Sequence, residues 1–162
     1  MTVADWEPFY TAQVDAGAAL LGLVFVGLSL NLEKILSYPW LPTRALLALM
    51  VLMAILIVAC LMLIPEQSLT TLGIEIVALG TIFVAIATTL EVVALLKVTL
   101  QNRRAFIANL ILLELGLLPY IVGGLLLIAG STSGFYWIAA GVIISFVKAV
   151  TDAWVLLVEI NR

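Results

Sequence analysis

Apolar residues along this chain fall into five long runs, separated by short segments that contain proline, glycine and charged residues. The runs cover residues 8–30, 43–64, 69–96, 105–129 and 135–160. A helix needs about 20 apolar residues to cross the hydrocarbon core of a bilayer, and each run reaches that length. The pattern therefore predicts an all-α, polytopic membrane helix bundle with five transmembrane helices. Residues 1–162 are expected to form this single transmembrane domain.

The last run, residues 135–160, carries charge in its interior. On a helix at 100° per residue, its small and polar side chains form one stripe. The stripe consists of Gly141, Ser145, Lys148, Asp152 and Glu159. A lysine within the hydrocarbon costs roughly 3 kcal/mol or more on insertion scales. Lys148 is therefore expected to face protein or water and to find an acidic partner.

Helix geometry suggests which acids meet this lysine. At ~1.5 Å per residue from the outer end, Lys148 lies about 20 Å deep and Glu114 about 22 Å deep. Matching depth on consecutive antiparallel helices predicts a Glu114–Lys148 pair, with Asp152 sharing the lysine as its i,i+4 neighbour. Asp15 and Glu75 lie about two turns inside the outer end, where they are expected to meet each other, share a proton or bind a cation.

The intramembrane charges support two interpretations. In the first they form an acidic path for protons or cations. Its order is Asp15 and Glu75 at the outer mouth, Glu114, Lys148 and Asp152 in the middle, and Glu91 and Glu159 at the inner mouth. In the second, Lys148 and its partner are an internal staple that fixes helix register, and the outer acids reach the membrane interface.

Small residues recur on several predicted helix faces, where they allow helices to approach closely. The glycines expected to serve helix packing are Gly22, Gly80, Gly116, Gly123 and Gly141. These faces exceed what one five-helix bundle should need to bury, so a homo-oligomer is expected. The second run, residues 43–64, has no interior charge and is interpreted as a lipid-facing or scaffolding helix.

Composition narrows the possible chemistry. The chain is 65% hydrophobic, far above a soluble domain, and only 10% charged. It contains no histidine and a single cysteine, Cys60, which argues against zinc, haem and Cys–His chemistry. No catalytic motif or phosphate-binding loop is found, so we expect no enzyme activity and no cofactor. No basic patch with interleaved aromatics is present, so nucleic acid is not an expected partner.

The first third of the chain carries a family resemblance. Residues 17–31, GAALLGLVFVGLSLN, and residues 41–45, LPTRA, resemble a family of small, mostly uncharacterised prokaryotic multi-pass membrane proteins. Some members are automatically labelled as modulators of a membrane-bound AAA protease. The resemblance implies a protein of the inner (plasma) membrane of a prokaryote, and it transfers no binding or catalytic residue.

Two functions follow as hypotheses. The first is a small oligomeric channel or transporter for a cation or protons that uses the intramembrane acids and the central lysine. The alternative is a non-transporting scaffold or modulator that binds other membrane proteins. A water-filled cavity lined by the acids would favour transport, whereas a dry charge pair with small-residue faces open to lipid would favour a scaffold.

The basic residues predict an orientation. Six of them fall at connectors or ends on one side of the predicted bundle, namely Lys34, Arg44, Lys97, Arg103, Arg104 and Arg162. Since cytoplasmic loops carry an excess of Lys and Arg, this side is expected to be inside. The N-terminus is then outside and the C-terminus cytoplasmic, which agrees with an odd number of spans.

Cysteine labelling tests this topology. In a Cys60→Ala background, a cysteine placed at residues 131–133 should react with a membrane-impermeant thiol reagent from outside. A cysteine replacing Asn102 should react only from inside. Labelling of the Asn102 position from outside would contradict the predicted orientation.

Overall fold

A computed structural model describes residues 3–96 and 103–158, and these residues are almost entirely helical. A short 3-10 turn, Val3–Trp6, leads into six α-helices. They are α1 (Glu7–Leu30), α2 (Leu32–Leu36), α3 (Leu41–Met62), α4 (Leu69–Leu96), α5 (Arg103–Ile128) and α6 (Gly134–Leu157). Five of them, all except the short α2, are long and apolar enough to cross a membrane. The all-helical class and the five candidate spans are thus confirmed, as is compatibility with a multi-pass membrane protein.

Proline and glycine mark where these helices begin and end. Pro8 and Pro42 lie in the first turns of α1 and α3, where a missing N–H removes no helical hydrogen bond. Gly130 ends α5 with a φ of 77°, and the next amide, that of Ser131, bonds to the carbonyl of Leu126 at 2.8 Å. This left-handed conformation strongly favours glycine. The third span, α4, has the predicted bounds, and the other four differ by one to three residues at their ends.

Four of the helices form a closed ring. α3 packs against α4 and α6, and α5 packs against the same two helices. α1 lies outside this ring, mainly against α3 and with a smaller contact to α6. Short connectors make consecutive long helices antiparallel. We call the end where α1 begins the N-terminal end, and the end where α1 finishes and α3 begins the basic end.

The position of α3 differs from the sequence interpretation. Its side chains Leu52, Ile55 and Val58 are fully buried, and it contacts α1, α4 and α6. The helix without interior charges is therefore a central helix of the protein rather than one that mainly faces lipid. An all-apolar surface fits either place, because lipid tails and a protein core are equally apolar.

Glycine allows the ring helices to pack backbone to backbone. A β-carbon added at Gly73 on α4 would lie 2.7 Å from the carbonyl oxygen of Gly124 on α5. Between α5 and α6, one added at Gly123 would lie 2.8 Å from the carbonyl oxygen of Gly134. Three further predicted packing glycines, Gly80, Gly116 and Gly141, also lie in close contacts within the chain. At Gly22 an added β-carbon would meet nothing within 4 Å, so this glycine packs against no other helix among the described residues.

Alanine substitutions test the close packing of α4 and α5. Gly124→Ala should lower the free energy of unfolding by about 1–3 kcal/mol, because the new methyl group meets backbone atoms that cannot yield. Gly22→Ala is the matched control, and it should leave stability unchanged or raise it by about 0.5–1 kcal/mol. Thermal unfolding in detergent measures both. Equal midpoints for Gly124→Ala and the native chain would contradict the close contact.

Candidate functional site

The charged stripe of α6 faces the interior of the ring. Lys148 and Asp152 are 1% and 3% exposed, and Ser145, one turn before the lysine, is fully buried. The Lys148 ammonium donates a hydrogen bond to Asp152 Oδ2, its i,i+4 neighbour on α6. A buried charge is tolerated only when it is paired and hydrogen-bonded, and each of these two groups satisfies the other.

Arg44 brings α3 into the same site. It lies three residues after the first residue of α3, and its guanidinium donates to Asp152 Oδ1 at 3.5 Å. The same terminal nitrogen, Nη2, donates to Asn109 Oδ1 on α5 at 3.0 Å. Asp152 thus has a cation on each carboxylate oxygen, one from its own helix and one from α3. The arginine is 21% exposed and also lies over the Trp40 ring, 5.9 Å from its centroid.

Glu91 completes the network from α4. Its carboxylate accepts a hydrogen bond from the Asn109 side-chain amide, and the residue is only 2% exposed. It also interacts electrostatically with Lys148, Arg44 and Asp152. The five residues form one chain of contacts through the ring, which we call the charged cluster: Lys148, Asp152, Arg44, Asn109 and Glu91. Its two basic and two acidic groups balance in formal charge.

The predicted Glu114–Lys148 pair is not formed between these described residues. Glu114 is half-buried and accepts a hydrogen bond from the Thr88 hydroxyl of α4. α5 is rotated so that Gly116 and Tyr120 contact α6, which turns the Glu114 face toward α4. Glu114 and Lys148 lie at similar depth, but the rotation of α5 about its own axis directs Glu114 away from Lys148.

The two acids of the N-terminal end do not meet either. Asp15 is exposed on α1, outside the ring. Glu75 is half-buried on α4 and accepts a hydrogen bond from the Gln67 side-chain amide. Glu159, predicted at the inner mouth, lies outside the described residues. No three His, Cys, Asp or Glu side chains among the described residues converge as ligands for a metal ion.

Hydroxyl groups continue the α6 stripe away from the cluster. Tyr120 on α5 donates to Ser145 Oγ at 3.3 Å, and Ser145 donates to the Gly116 carbonyl at 3.2 Å. Both side chains are buried inside the ring, at 1% and 0% exposure. Polar groups therefore extend from the cluster toward the middle of the bundle.

Sequence reasoning missed two members of the cluster, Arg44 and Asn109, and it did not place Glu91 with the central charges. It placed Arg44 at a connector and used it only for orientation, and it placed Glu91 at the inner mouth of the path. It assigned no role to Asn109. One available signal was Pro42, since a proline in the first turn places Arg44 inside the helix.

Comparison of the chain with protein-family models, with curated proteins and with solved structures finds no significant match. The family resemblance of the first third stays a prediction. Function is therefore inferred from the geometry of the charged cluster.

Because Asp152 is paired with two cations, substitutions of Asp152 and of Lys148 should differ in how much stability they cost. Asp152→Asn leaves Lys148 and Arg44 without the carboxylate between them, and should lower stability by roughly 3–5 kcal/mol. Lys148→Met should cost less, because Asp152 keeps Arg44. Thermal unfolding and folded yield in detergent measure both effects.

The double variant Lys148→Met/Asp152→Asn should recover part of the loss, because no charge is then left without its partner. Equal losses for the two single variants, or a double variant with additive losses, would contradict the assignment of Asp152 as the shared acid.

Proposed function

We propose that this chain is a small integral membrane protein that moves protons or other small cations through its four-helix ring, with the charged cluster as the working site. The observation that carries the proposal is that all four ring helices direct a polar or charged side chain into one buried, charge-balanced network. A charge pair that only fixes the register of two helices needs one acid and one base. Four ionisable groups held together within a membrane are more than register alone requires.

The cluster lies near one end of the ring, as a gate would. Arg44 is three residues from the start of α3, and Glu91 and Asp152 are each five residues from the ends of α4 and α6. At ~1.5 Å per residue these groups lie roughly 5–8 Å inside the basic end. Their contacts hold the four helices together at this end and close the interior there.

The acids provide a way to open this gate. A proton that reaches Asp152 neutralises the carboxylate that holds both Lys148 and Arg44. Another cation that reaches it competes with Lys148 and Arg44 for the same carboxylate. Those contacts then weaken, and the ring loosens at the basic end. The ion shifts the equilibrium because it binds the open arrangement, with free carboxylates, better than the closed one.

Orientation and assembly are part of the same proposal. Because Lys and Arg are enriched in cytoplasmic loops, the basic end would lie in the cytoplasm and the N-terminus outside. The membrane would be the inner membrane of a prokaryotic cell. α1 would provide the contact of a homo-oligomer. Its residues Asp15, Ala18, Gly22 and Ser29 share one face and are all exposed. An acid on such a face is costly in lipid and favours a partner helix.

The second candidate function is a scaffold or modulator that binds another membrane protein. The same exposed α1 face favours it, because small residues allow a foreign helix to approach as closely as a second copy of the chain would. In that case the charged cluster serves only to hold the four ring helices in register.

A flux assay separates the two functions. The purified chain in liposomes should carry at least one of H⁺, Na⁺, K⁺, Mg²⁺ and Ca²⁺ faster than empty liposomes do. The folded double variant Lys148→Met/Asp152→Asn should lose most of that flux, because it lacks the acid that the ion must reach. Glu33→Gln is the control, since Glu33 is exposed on the short helix α2, outside the ring, and it should keep the native rate.

Two outcomes would contradict transport through the cluster. One is a native chain that carries none of these ions above the rate of empty liposomes. The other is a double variant that is as active as the native chain.

A further inference from the structure

Polar atoms without partners gather at the N-terminal end of the bundle. Tyr10 is fully buried, and its hydroxyl has no hydrogen-bond partner among the residues that the structure describes. In the same part of the chain, Trp6 Nε1 and Gln13 Oε1 are also buried and unpartnered. Gln13 lies on the same face of α1 as Tyr10, and Trp6 ends the 3-10 turn just before this helix. A fourth such atom, Gln67 Oε1, lies in the connector between α3 and α4 at this end.

This face of α1 points into the protein. Farther along it, Gly17 packs against Ile55 of α3 and Phe146 of α6. At its start, the Trp6 ring lies 5.9 Å from the ring of Phe135 at the beginning of α6. Tyr10 lies between these contacts, and both Tyr10 and Tyr120, which is inside the ring, belong to the buried core of the protein. The Tyr10 hydroxyl bonds to no group among the residues that the structure describes.

Bound water fits these atoms better than any other occupant. Each buried polar group that lacks a partner costs about 1–3 kcal/mol. The four atoms include a donor, two acceptors and a hydroxyl that can do either, and water both donates and accepts. A buried water typically bonds to two to four such groups. Water molecules are therefore expected between α1 and the ring, next to Tyr10.

From this point polar groups lead through the bundle in order of depth. Counted from the N-terminal end at ~1.5 Å per residue, Tyr10, Tyr120 and Ser145 lie roughly 5, 12 and 16 Å deep. By the same count, Lys148 and Asp152 follow at roughly 21 and 27 Å. Tyr120 is bonded to Ser145, and Ser145 lies three residues before Lys148 on the buried stripe. In depth, the bonded hydroxyls of Tyr120 and Ser145 therefore lie between the buried orphan atoms and the charged cluster.

The packing along this interval leaves room for a proton but not for a hydrated metal ion. Ser145 is in tight contact with α5, since a β-carbon added at Gly116 would lie 2.9 Å from its hydroxyl oxygen. Tyr120 and Ser145 are both enclosed by protein. A proton does not need the space that a hydrated metal ion would occupy, because it passes from one hydrogen-bonded oxygen atom to the next.

We propose that water bound by Trp6, Tyr10 and Gln13 forms, together with Tyr120, Ser145 and Lys148, a proton relay that ends at Asp152, so that the transported ion is the proton. This inference rests on the proposed transport function and names its ion. At each oxygen of the relay one O–H bond forms with the arriving proton and one breaks as the oxygen releases its own proton onward. The Ser145 hydroxyl, which bonds to the Gly116 carbonyl at rest, turns to pass its proton through bound water toward Lys148. The Lys148 ammonium already donates to Asp152 Oδ2, so it releases one of its own protons to that carboxylate oxygen and takes up the arriving proton in its place.

Protonation of Asp152 removes one negative charge from the charged cluster. The groups that face this carboxylate are Lys148 on its own helix, Arg44 on α3, Glu91 on α4 and the neutral Asn109 on α5. Both cations lose the acid they share, while Glu91 remains. The relay thus delivers its proton to the group whose neutralisation weakens the contacts between α3 and α6.

Water at the orphan atoms is tested by hydroxyl-radical footprinting of the native chain in nanodiscs. Radicals generated by X-rays from bound water label adjacent side chains even when those side chains are buried. Tyr10 and Tyr120 should be labelled well above Phe83, a buried control on α4, when each is normalised to its labelling in the unfolded chain. Labelling of the two tyrosines no greater than that of Phe83 would overturn the water-linked relay.

The relay itself is tested by flux in liposomes. Tyr120→Phe and Ser145→Ala should each reduce proton flux about tenfold or more, because each removes a hydroxyl from the relay. Tyr38→Phe and Ser37→Ala are matched controls at exposed positions and should keep the native rate. If Tyr120→Phe fails to fold, Ser145→Ala and the footprinting still decide.

The outcomes separate this inference from the function on which it rests. Native proton flux in both relay variants would overturn the relay but leave transport through the cluster standing. Na⁺ or K⁺ flux that exceeds proton flux would overturn the proton as the transported ion, but it would leave transport through the cluster standing. A native chain that carries no ion would overturn the proposed function and the relay together.

Discussion

The four-helix ring depends on one carboxylate that is shared by two cations. Asp152 is 3% exposed and is held by Lys148 from its own helix and by Arg44 from α3. If both cations were absent, the acid would carry a buried charge that the interior cannot solvate. Because Arg44 also bonds to Asn109, and Asn109 to Glu91, the same compensation extends to α5 and α4. The positions of four helices are thus tied to the neutrality of one site.

Small residues hold the ring helices together at the opposite end from the charged cluster. Gly73 and Gly124 bring α4 and α5 into backbone contact near the N-terminal end, and Gly123 and Gly134 do the same for α5 and α6. Close packing at one end and charge pairing at the other together hold the ring, which suits a membrane where no hydrophobic effect drives helices together.

The two ends of the bundle differ in how their buried polar groups are satisfied. At the basic end, the charged groups satisfy one another directly. At the N-terminal end, buried polar atoms of Trp6, Tyr10 and Gln13 have no hydrogen-bond partner among the described residues. Tyr120 and Ser145 lie between the two ends. This difference between unpartnered groups at one end and paired groups at the other is the feature on which the proposed proton relay rests.

The sequence by itself determined the helices, because run length and the positions of proline and glycine act locally. It also determined that Lys148 and Asp152 share a stripe of α6, since helical period alone places them there. Only the tertiary structure decided that Glu114 is not the partner of Lys148 and that Arg44 reaches Asp152. A helix pattern gives the depth of a residue and its angle on its own helix, but not the rotation of that helix against its neighbours. That rotation is set by packing over the whole ring, and it turned Glu114 toward α4.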